Sequence, residues 1–314
     1  MTQEQEAPAS GPVSLPNPDL ALPVDLTRDY LIGKCEYFSS IGIWPNRTVL
    51  DPERWLDNFL AEEVEHALYL LNAFMYFAPS LVDQIFSASI RTIARLMTRD
   101  QWEEFLGSVL VTLVTGEEPS VTDSGHLFAR RARYLGIPED RIISPEQACH
   151  QIQRGFNGAV VFVDDLVGSG NQFIATWRRT YRTPHESFMA LAPMSRAKFY
   201  YCPAFCTQLG LKRLNCDCPE VTVSPGIFIP DNYGALAPDS IVWPSRLKST
   251  AEEFLRSASA RAGIPDTGGT TPDDWRGFAS LGLTIAFENS VPDATLPIIY
   301  WERNGWRPLM RRIA

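Results

Sequence analysis

The 314-residue chain reads as an α/β protein, a parallel-sheet core preceded by an α-helical N-terminal extension. Three observations predict this. Residues 109–114 (Val-Leu-Val-Thr-Leu-Val) and 160–163 (Val-Val-Phe-Val) are short, continuous, β-branched apolar runs, the pattern of strands buried on both faces. Amphipathic stretches of helical period separate and follow them, and that alternation belongs to parallel sheets joined by helical crossovers. Between residues 53 and 106 the apolar positions recur at helical spacing.

The elements follow in order. Residues 1–25 are rich in Pro, Gln, Glu and Ser and read as a disordered or loosely attached tail. Residues 26–50 carry aromatic side chains and Cys without clear periodicity. Asp51 is placed to cap a helix that Pro52 opens, and Trp55, Leu56 and Phe59 form its stripe over 53–60. A helix over 62–77 follows, with Val64, Leu68, Leu71 and Met75 at helical spacing. Pro79 breaks it, Ser80 is placed to cap a third helix over 81–97, and a fourth covers 100–106. The extension is therefore 26–106 and the α/β core 107–314.

Within the core, the run 109–114 predicts a strand, 126–135 a helix with Arg130, Arg131 and Arg133, 137–143 a short strand, and 145–153 a helix. The strand at 160–163 runs into Asp164 and Asp165, then into a loop of Gly168, Ser169 and Gly170, then into a helix over 173–182. A turn at Thr183-Pro184 leads to apolar runs at 188–192 and 197–206, the second a strand. Further strands are expected within 221–229, 281–287 and 296–301, a helix at 247–262, and a loop at 267–272. The tail residues Arg311 and Arg312 are basic.

Composition excludes several function classes. The net charge is −9 at pH 7, which argues against a broad basic surface for nucleic acid, though a local basic patch is compatible with it. Residues 1–16 lack a basic segment followed by an apolar one, so no signal peptide is expected. The longest nearly apolar run, 67–79, is too short to span a bilayer and is interrupted by Asn72. The expectation is a cytoplasmic protein with no membrane association. Six cysteines in so long a chain fit reduced thiols better than a disulfide framework.

The chemistry concentrates between 160 and 172. An apolar strand, two carboxylates, a small-residue loop and a helix start suit a ligand that is both anion and sugar. Loop and helix N–H groups hold a phosphate, and the carboxylates accept hydrogen bonds from hydroxyls. A second loop, 115–125, follows the earlier strand. Gly116, Ser120, Thr122, Ser124 and Gly125 suit anion binding. Glu117, Glu118 and Asp123 suit a bare anion poorly, because like charges repel, although a hard cation would bridge them to it. An ordinary acidic surface loop is the equal alternative. Arg178 and Arg179, on the helix after the acidic pair beside Thr176, read as solvated. Cys202, Cys206, Cys216 and Cys218 lie close together, but their spacing departs from zinc knuckles. Cys202 and Cys206 fall on one strand face, where buried free thiols are common. His66 reads as a surface residue, and His126 as a candidate to face a ligand. His150 and His185 have no companions. Phe287, Trp301 and Trp306, with Glu288 and Asn289, suit either core packing or stacking on a base, packing being favoured.

The stretch from Val160 to Gln172 resembles the signature of type I phosphoribosyltransferases, departing from it at Phe162, Gly168 and Gln172. The resemblance implies catalytic roles for Asp164 and Asp165 on the ribose of phosphoribosyl pyrophosphate (PRPP). It implies a 5-phosphate loop of Val167, Gly168, Ser169, Gly170, Asn171 and Gln172, and a pyrophosphate loop of Thr115, Gly116, Glu117, Ser124 and Gly125. Mg²⁺ is the implied cofactor, with no dedicated protein metal site. Gly168 stands where some purine-type members carry an acid that moves a proton on the base. The segments 55–59, 67–77, 164–172, 292–301 and 306–309 together resemble the phosphoribosyltransferase-like domain of bacterial conflict systems, found beside retron or other antiphage genes. The similarity extends from about residue 31 to the C-terminus. It implies an effector in defence that acts on a ribose-phosphate small molecule and has a protein partner, a reverse transcriptase or DNA-binding protein. A non-catalytic sensor or scaffold that regulates a partner is the alternative.

Overall fold

The computed structural model describes residues 26–312 apart from 121–122, 183–185 and 289. The tail over 1–25, the turn at Thr183-Pro184, and Thr122, His185 and Asn289 lie outside the described residues. Four parallel strands run in the order β2 (Leu110–Leu113), β3 (Ala159–Val167), β4 (Lys198–Thr207), β5 (Val221–Val223), and β6 (Ile227–Ile229) also pairs with β4. The α/β class with a parallel sheet is thus the one the apolar runs predict.

Helices cover both faces of this sheet, as strands apolar on both sides require. On one face α4 (Pro79–Arg91), α5 (Arg99–Ser108) and α6 (Ser124–Arg131) bury Phe86, Ile90, Phe105, Phe128 and Ala129 against Val111, Val161, Val163 and Cys202. On the other, α7 (Pro145–Gln153), α8 (Asn171–Arg178), α9 (Phe188–Leu191) and α10 (Gln208–Asp217) bury Cys149, Phe173, Trp177, Phe188 and Leu214 against Val160, Phe162 and Tyr201. Trp177, Phe173 and Phe188 meet Phe162 at ring separations of 6.2, 5.1 and 4.7 Å.

A second core lies beside the sheet. It joins α1 (Arg28–Ser40), α2 (Pro52–Leu56) and α3 (Val64–Ala73) to α11 (Ser245–Ala262) and the C-terminal segment. Trp55 is fully buried and its indole N–H donates to Ile298 O at 2.9 Å. Trp306 donates to the same carbonyl at 3.1 Å, and Trp301 to Ala262 O at 2.9 Å. A buried indole needs such an acceptor, since an orphaned donor costs about 1–3 kcal/mol. A two-stranded parallel ribbon of β1 (Met75–Phe77) and β7 (Ile285–Phe287) stitches the two ends of the chain together.

Several local expectations change. Residues 28–40 form α1, capped by Thr27, although the apolar pattern there is weak: the rest of the second core orders it. The helix expected over 62–77 stops at Ala73, and residues 75–77 pair with β7 instead, because a long-range partner outweighs local helical spacing. Ser80 does not cap α4. Pro79 opens that helix with Ala78 at the cap position, where the missing N–H of proline costs nothing. The strand expected at 137–143 reduces to one bridge, Ile142 to Val111, and that at 296–301 becomes a single 3-10 turn, Pro297–Ile299. His66 is not at the surface. It packs on Phe254 at 4.9 Å and bonds Thr250 Oγ1 at 2.9 Å, and burial lowers its pKa. Among the described residues no helix is long and apolar enough to cross a membrane.

Candidate functional site

The acidic pair lies inside β3, which continues to Val167. Side chains alternate normally along the first half of the strand, with Val161 and Val163 on the α4–α6 face and Val160 and Phe162 on the other. Past the pair the alternation slips, and Val167 joins the face of Val160. β4 slips at the matching register, 163↔202 and 167↔206. Cys202 therefore enters one core and Cys206 the other, not one shared face as their spacing suggests. The slip re-aims the acidic pair at the carboxyl end of the sheet, where parallel α/β proteins bind ligands.

The two carboxylates have different surroundings. Asp164 is only 1% exposed. It accepts hydrogen bonds from Ser124 Oγ at 2.8 Å, Tyr201 OH at 3.1 Å and the Asp165 N–H at 3.0 Å. Asp165 is half-buried and lines the cavities on both sides of it. It accepts from the Leu166 N–H at 2.6 Å and also contacts Ser124 Oγ at 3.0 Å. Ser124 has one proton for two acceptors. Burial, and then the neighbouring Asp165 charge, push the Asp164 carboxyl well above the usual range. Burial raises Asp165 as well.

The loop after β3 is built around one backbone requirement. Gly170 takes φ +83° at the cap position of α8 and contributes no side-chain cap, so the helix's first N–H groups are left to the loop and its ligands. Gly168 has ordinary φ, and a Cβ there would meet Leu281 Cδ1 at 3.5 Å, an ordinary contact, so space alone does not demand glycine. From behind, Thr207 Oγ1 donates to Gly168 O at 2.6 Å. Arg213 donates to Ser169 O at 3.0 Å and Asn171 Oδ1 at 2.6 Å. Gly210 packs so closely that a Cβ would stand 2.7 Å from Gly168 O. Ser169 is buried and Gln172 exposed.

The second loop is tied to the first. Thr176 Oγ1 donates to Thr115 O at 3.1 Å and lies 3.1 Å from the Thr115 N–H. Arg179, read from sequence as solvated, instead donates to Thr115 Oγ1 and to the carbonyls of Gly116 and Glu117 at 2.8 and 2.9 Å. Arg178 pairs with Asp217 at 2.7 Å. Asp123 Oδ2 accepts from the N–H groups of Gly116 at 3.0 Å and Ser120 at 2.9 Å. Gly125 sits against Val114, where a Cβ would be 2.4 Å from the carbonyl oxygen, and this close approach brings the start of α6, with Ser124, down to the acidic pair.

A cleft of about 510 Å³ collects Glu117, Ser124, Asp164, Asp165, the loop 166–172 and Tyr201. Its far wall is C-terminal: Thr270, Phe278, Asp293 and Arg312 among others. Of the expected site residues, Thr115, Gly116 and Gly125 stand behind this lining rather than in it. A smaller groove of about 350 Å³ adjoins it through Ser124, Asp165 and Ser290, with Phe287 and Phe128 in its lining and exposed His126, Arg130 and Glu288 along it. Trp301 and Trp306 are core residues. Tyr201, Arg213 and Thr207 had no signal of their own in the sequence. Tyr201 hides in an apolar run, and only its register beside β3 reveals it.

Among the described residues no three or more His, Cys, Asp or Glu side chains gather to hold a metal, the four clustered cysteines included. Three of those, Cys202, Cys206 and Cys218, are buried free thiols and Cys216 is exposed. Asp165 and Glu117 both line the cleft and are the carboxylates that would hold Mg²⁺, which keeps several waters and takes one or two carboxylates together with substrate phosphates.

No curated protein matches the chain. The PRTase-CE family model matches residues 52–312, a span that holds both loops, the acidic pair and most of the second core. An acidic pair running into a glycine-capped helix start, in a parallel sheet and within that span, places this chain in the PRTase-CE family, as a phosphoribosyltransferase-like domain.

Proposed function

We propose that the cleft binds PRPP or a related ribose-phosphate nucleotide and that the protein acts at the ribose C1. The observation that carries this reading is the juxtaposition of Asp165, half-buried in the lining of the cleft, with the start of α8 beyond Gly168–Gly170, where Gly170 supplies no side-chain cap. One binds sugar hydroxyls and the other a phosphate, and C1 then falls on the side of Asp165 away from the phosphate. Asp165 is the direct ribose ligand, and Asp164, saturated by Ser124 and Tyr201, fixes the strand end. In the reaction the bond from C1 to its leaving group breaks as the bond to the acceptor forms. The Asp165 carboxylate stabilises the positive charge developing on the ring. Mg²⁺ held by substrate phosphates, Asp165 and Glu117 would supply charge neutralisation. The cellular role we assign is antiphage defence, by nucleotide depletion or modification, alongside a partner such as a reverse transcriptase or DNA-binding protein. Calorimetric titration with PRPP and ribose 5-phosphate, with and without Mg²⁺, tests this. Asp165→Asn is expected to weaken binding at least tenfold, about 1.4 kcal/mol. Unchanged affinity in that variant would sink the assignment.

One observation favours a second reading, a sensor that holds its ligand without turnover and signals to a partner. The Gly116 and Ser120 amides, suited to a pyrophosphate, are engaged by Asp123, and Gly168 supplies no acid. Product released from bound PRPP over a long incubation excludes this reading.

A further inference from the structure

The cleft is acidic where its ligand is anionic. Its lining carries the carboxylates of Glu117, Asp164, Asp165 and Asp293, and among the described lining residues Arg312 has the only formal positive charge. Arg312 belongs to the basic tail that sequence reasoning left without a role. Its guanidinium pairs with Asp293 and lies over the Tyr300 ring, 5.2 Å from the centroid. The side chain is about one-third exposed, so it is held in place yet open to the cavity. The position is specific. A Cβ built on Gly168 would stand 3.7 Å from Ala294 Cβ, so the chain at 293–294 runs beside the 5-phosphate loop, and Asp293 and Arg312 line the same cleft as that loop. Behind that loop, Arg213 is committed to Ser169 O and Asn171 Oδ1.

Resting on the reading of the cleft as a ribose-phosphate site, we infer that Arg312 is the phosphate-binding cation. Its guanidinium exchanges the Asp293 carboxylate for the phosphate monoester held on Gly168–Asn171. The exchange is chemically matched, because a planar guanidinium binds carboxylate and phosphate oxygens through the same paired N–H groups. Asp293 keeps the cation in place while the cleft is empty and competes with the ligand for it. No bond is made or broken beyond these hydrogen bonds.

The two substitutions should therefore not weaken binding together, as loss of either half of a purely structural brace would. In titrations of the full chain with ribose 5-phosphate, Arg312→Ala is expected to raise Kd about tenfold. Arg312→Lys is expected to recover part of the loss, and Asp293→Asn to lower Kd or leave it unchanged. Inorganic pyrophosphate, titrated separately, should lose less affinity in Arg312→Ala than ribose 5-phosphate does. Unchanged ribose 5-phosphate affinity in Arg312→Ala overturns the inference, as does parallel weakening in Arg312→Ala and Asp293→Asn. A loss confined to pyrophosphate overturns the assignment to the 5-phosphate loop. A wild-type chain that fails to bind ribose 5-phosphate overturns the ribose-phosphate reading itself, and that result is read before any variant is made.

Discussion

Replacing Tyr201 by Phe removes one hydroxyl from the buried end of the sheet, and its cost should depend on pH. The phenol donates to Asp164 Oδ2 at 3.1 Å, and both residues are about 1% exposed, so water does not substitute for the lost donor. While Asp164 is ionised the deleted bond is one to a charged acceptor, worth about 1.5–3 kcal/mol; once the carboxyl is protonated it is a neutral bond worth about 0.5–1.5 kcal/mol. The ring stays, stacked on Phe173 at 4.2 Å, so no cavity adds to either figure. The sign follows from linkage. Burial and the Asp165 charge raise the folded-state pKa of Asp164, so its contribution to stability is fully present below the unfolded carboxylate range. That contribution is lost as pH rises through the folded pKa. Tyr201→Phe raises the pKa further and steepens that loss. Urea denaturation of wild type and variant over a pH series should show a difference in unfolding free energy that is larger above the raised Asp164 pKa than below it, by about 1 kcal/mol or more. A difference that is flat across the series would refute the assignment of Tyr201 as a donor to an ionisable Asp164.

Two further perturbations address the loops. Gly210→Ala places a methyl 2.7 Å from both Gly168 O and Val167 Cγ1. Overpacking of this kind costs about 1–3 kcal/mol, and ribose 5-phosphate affinity should fall with thermal stability; a variant with unchanged Tm and Kd would show that the loop accommodates the methyl. Arg179→Ala strips the donors from Thr115 Oγ1, Gly116 O and Glu117 O. Its effect on global stability should be modest, about 1 kcal/mol, because exposed carbonyls regain water. Amide exchange over 115–120 should accelerate markedly while β3 remains protected, and equal exchange in both proteins would rule out Arg179 as the loop's anchor.

What sequence alone determined about this protein was whatever depends on residue type and short-range order. Continuous β-branched runs specify buried parallel strands because both of their faces need apolar cover. Asp51 and Pro52 specify a helix start, and the structure has Asp51 accepting from the Arg54 N–H at 3.0 Å. Ser124, Asp164, Asp165 and the loop at 168–172 were legible as anion-and-sugar chemistry, because carboxylates before a glycine turn leave a chemical signature whatever surrounds them. Tertiary structure alone decided the rest. Residues 75–77 have helical spacing but pair with residues 285–287, a partner more than 200 positions away that no local pattern encodes. The segments 55–59, 67–77, 292–301 and 306–309, recognisable as a set, prove largely to be one hydrophobic core: what they share is packing rather than chemistry. The difference between Asp164 and Asp165 arises because β4 delivers Tyr201 to one of them and the cleft opens on the other. Arg179 looked like solvated charge and Arg312 like a basic tail residue without a role, since a guanidinium's role is set by what comes within reach of its long side chain, and only the folded chain brings the loop carbonyls and Asp293 there.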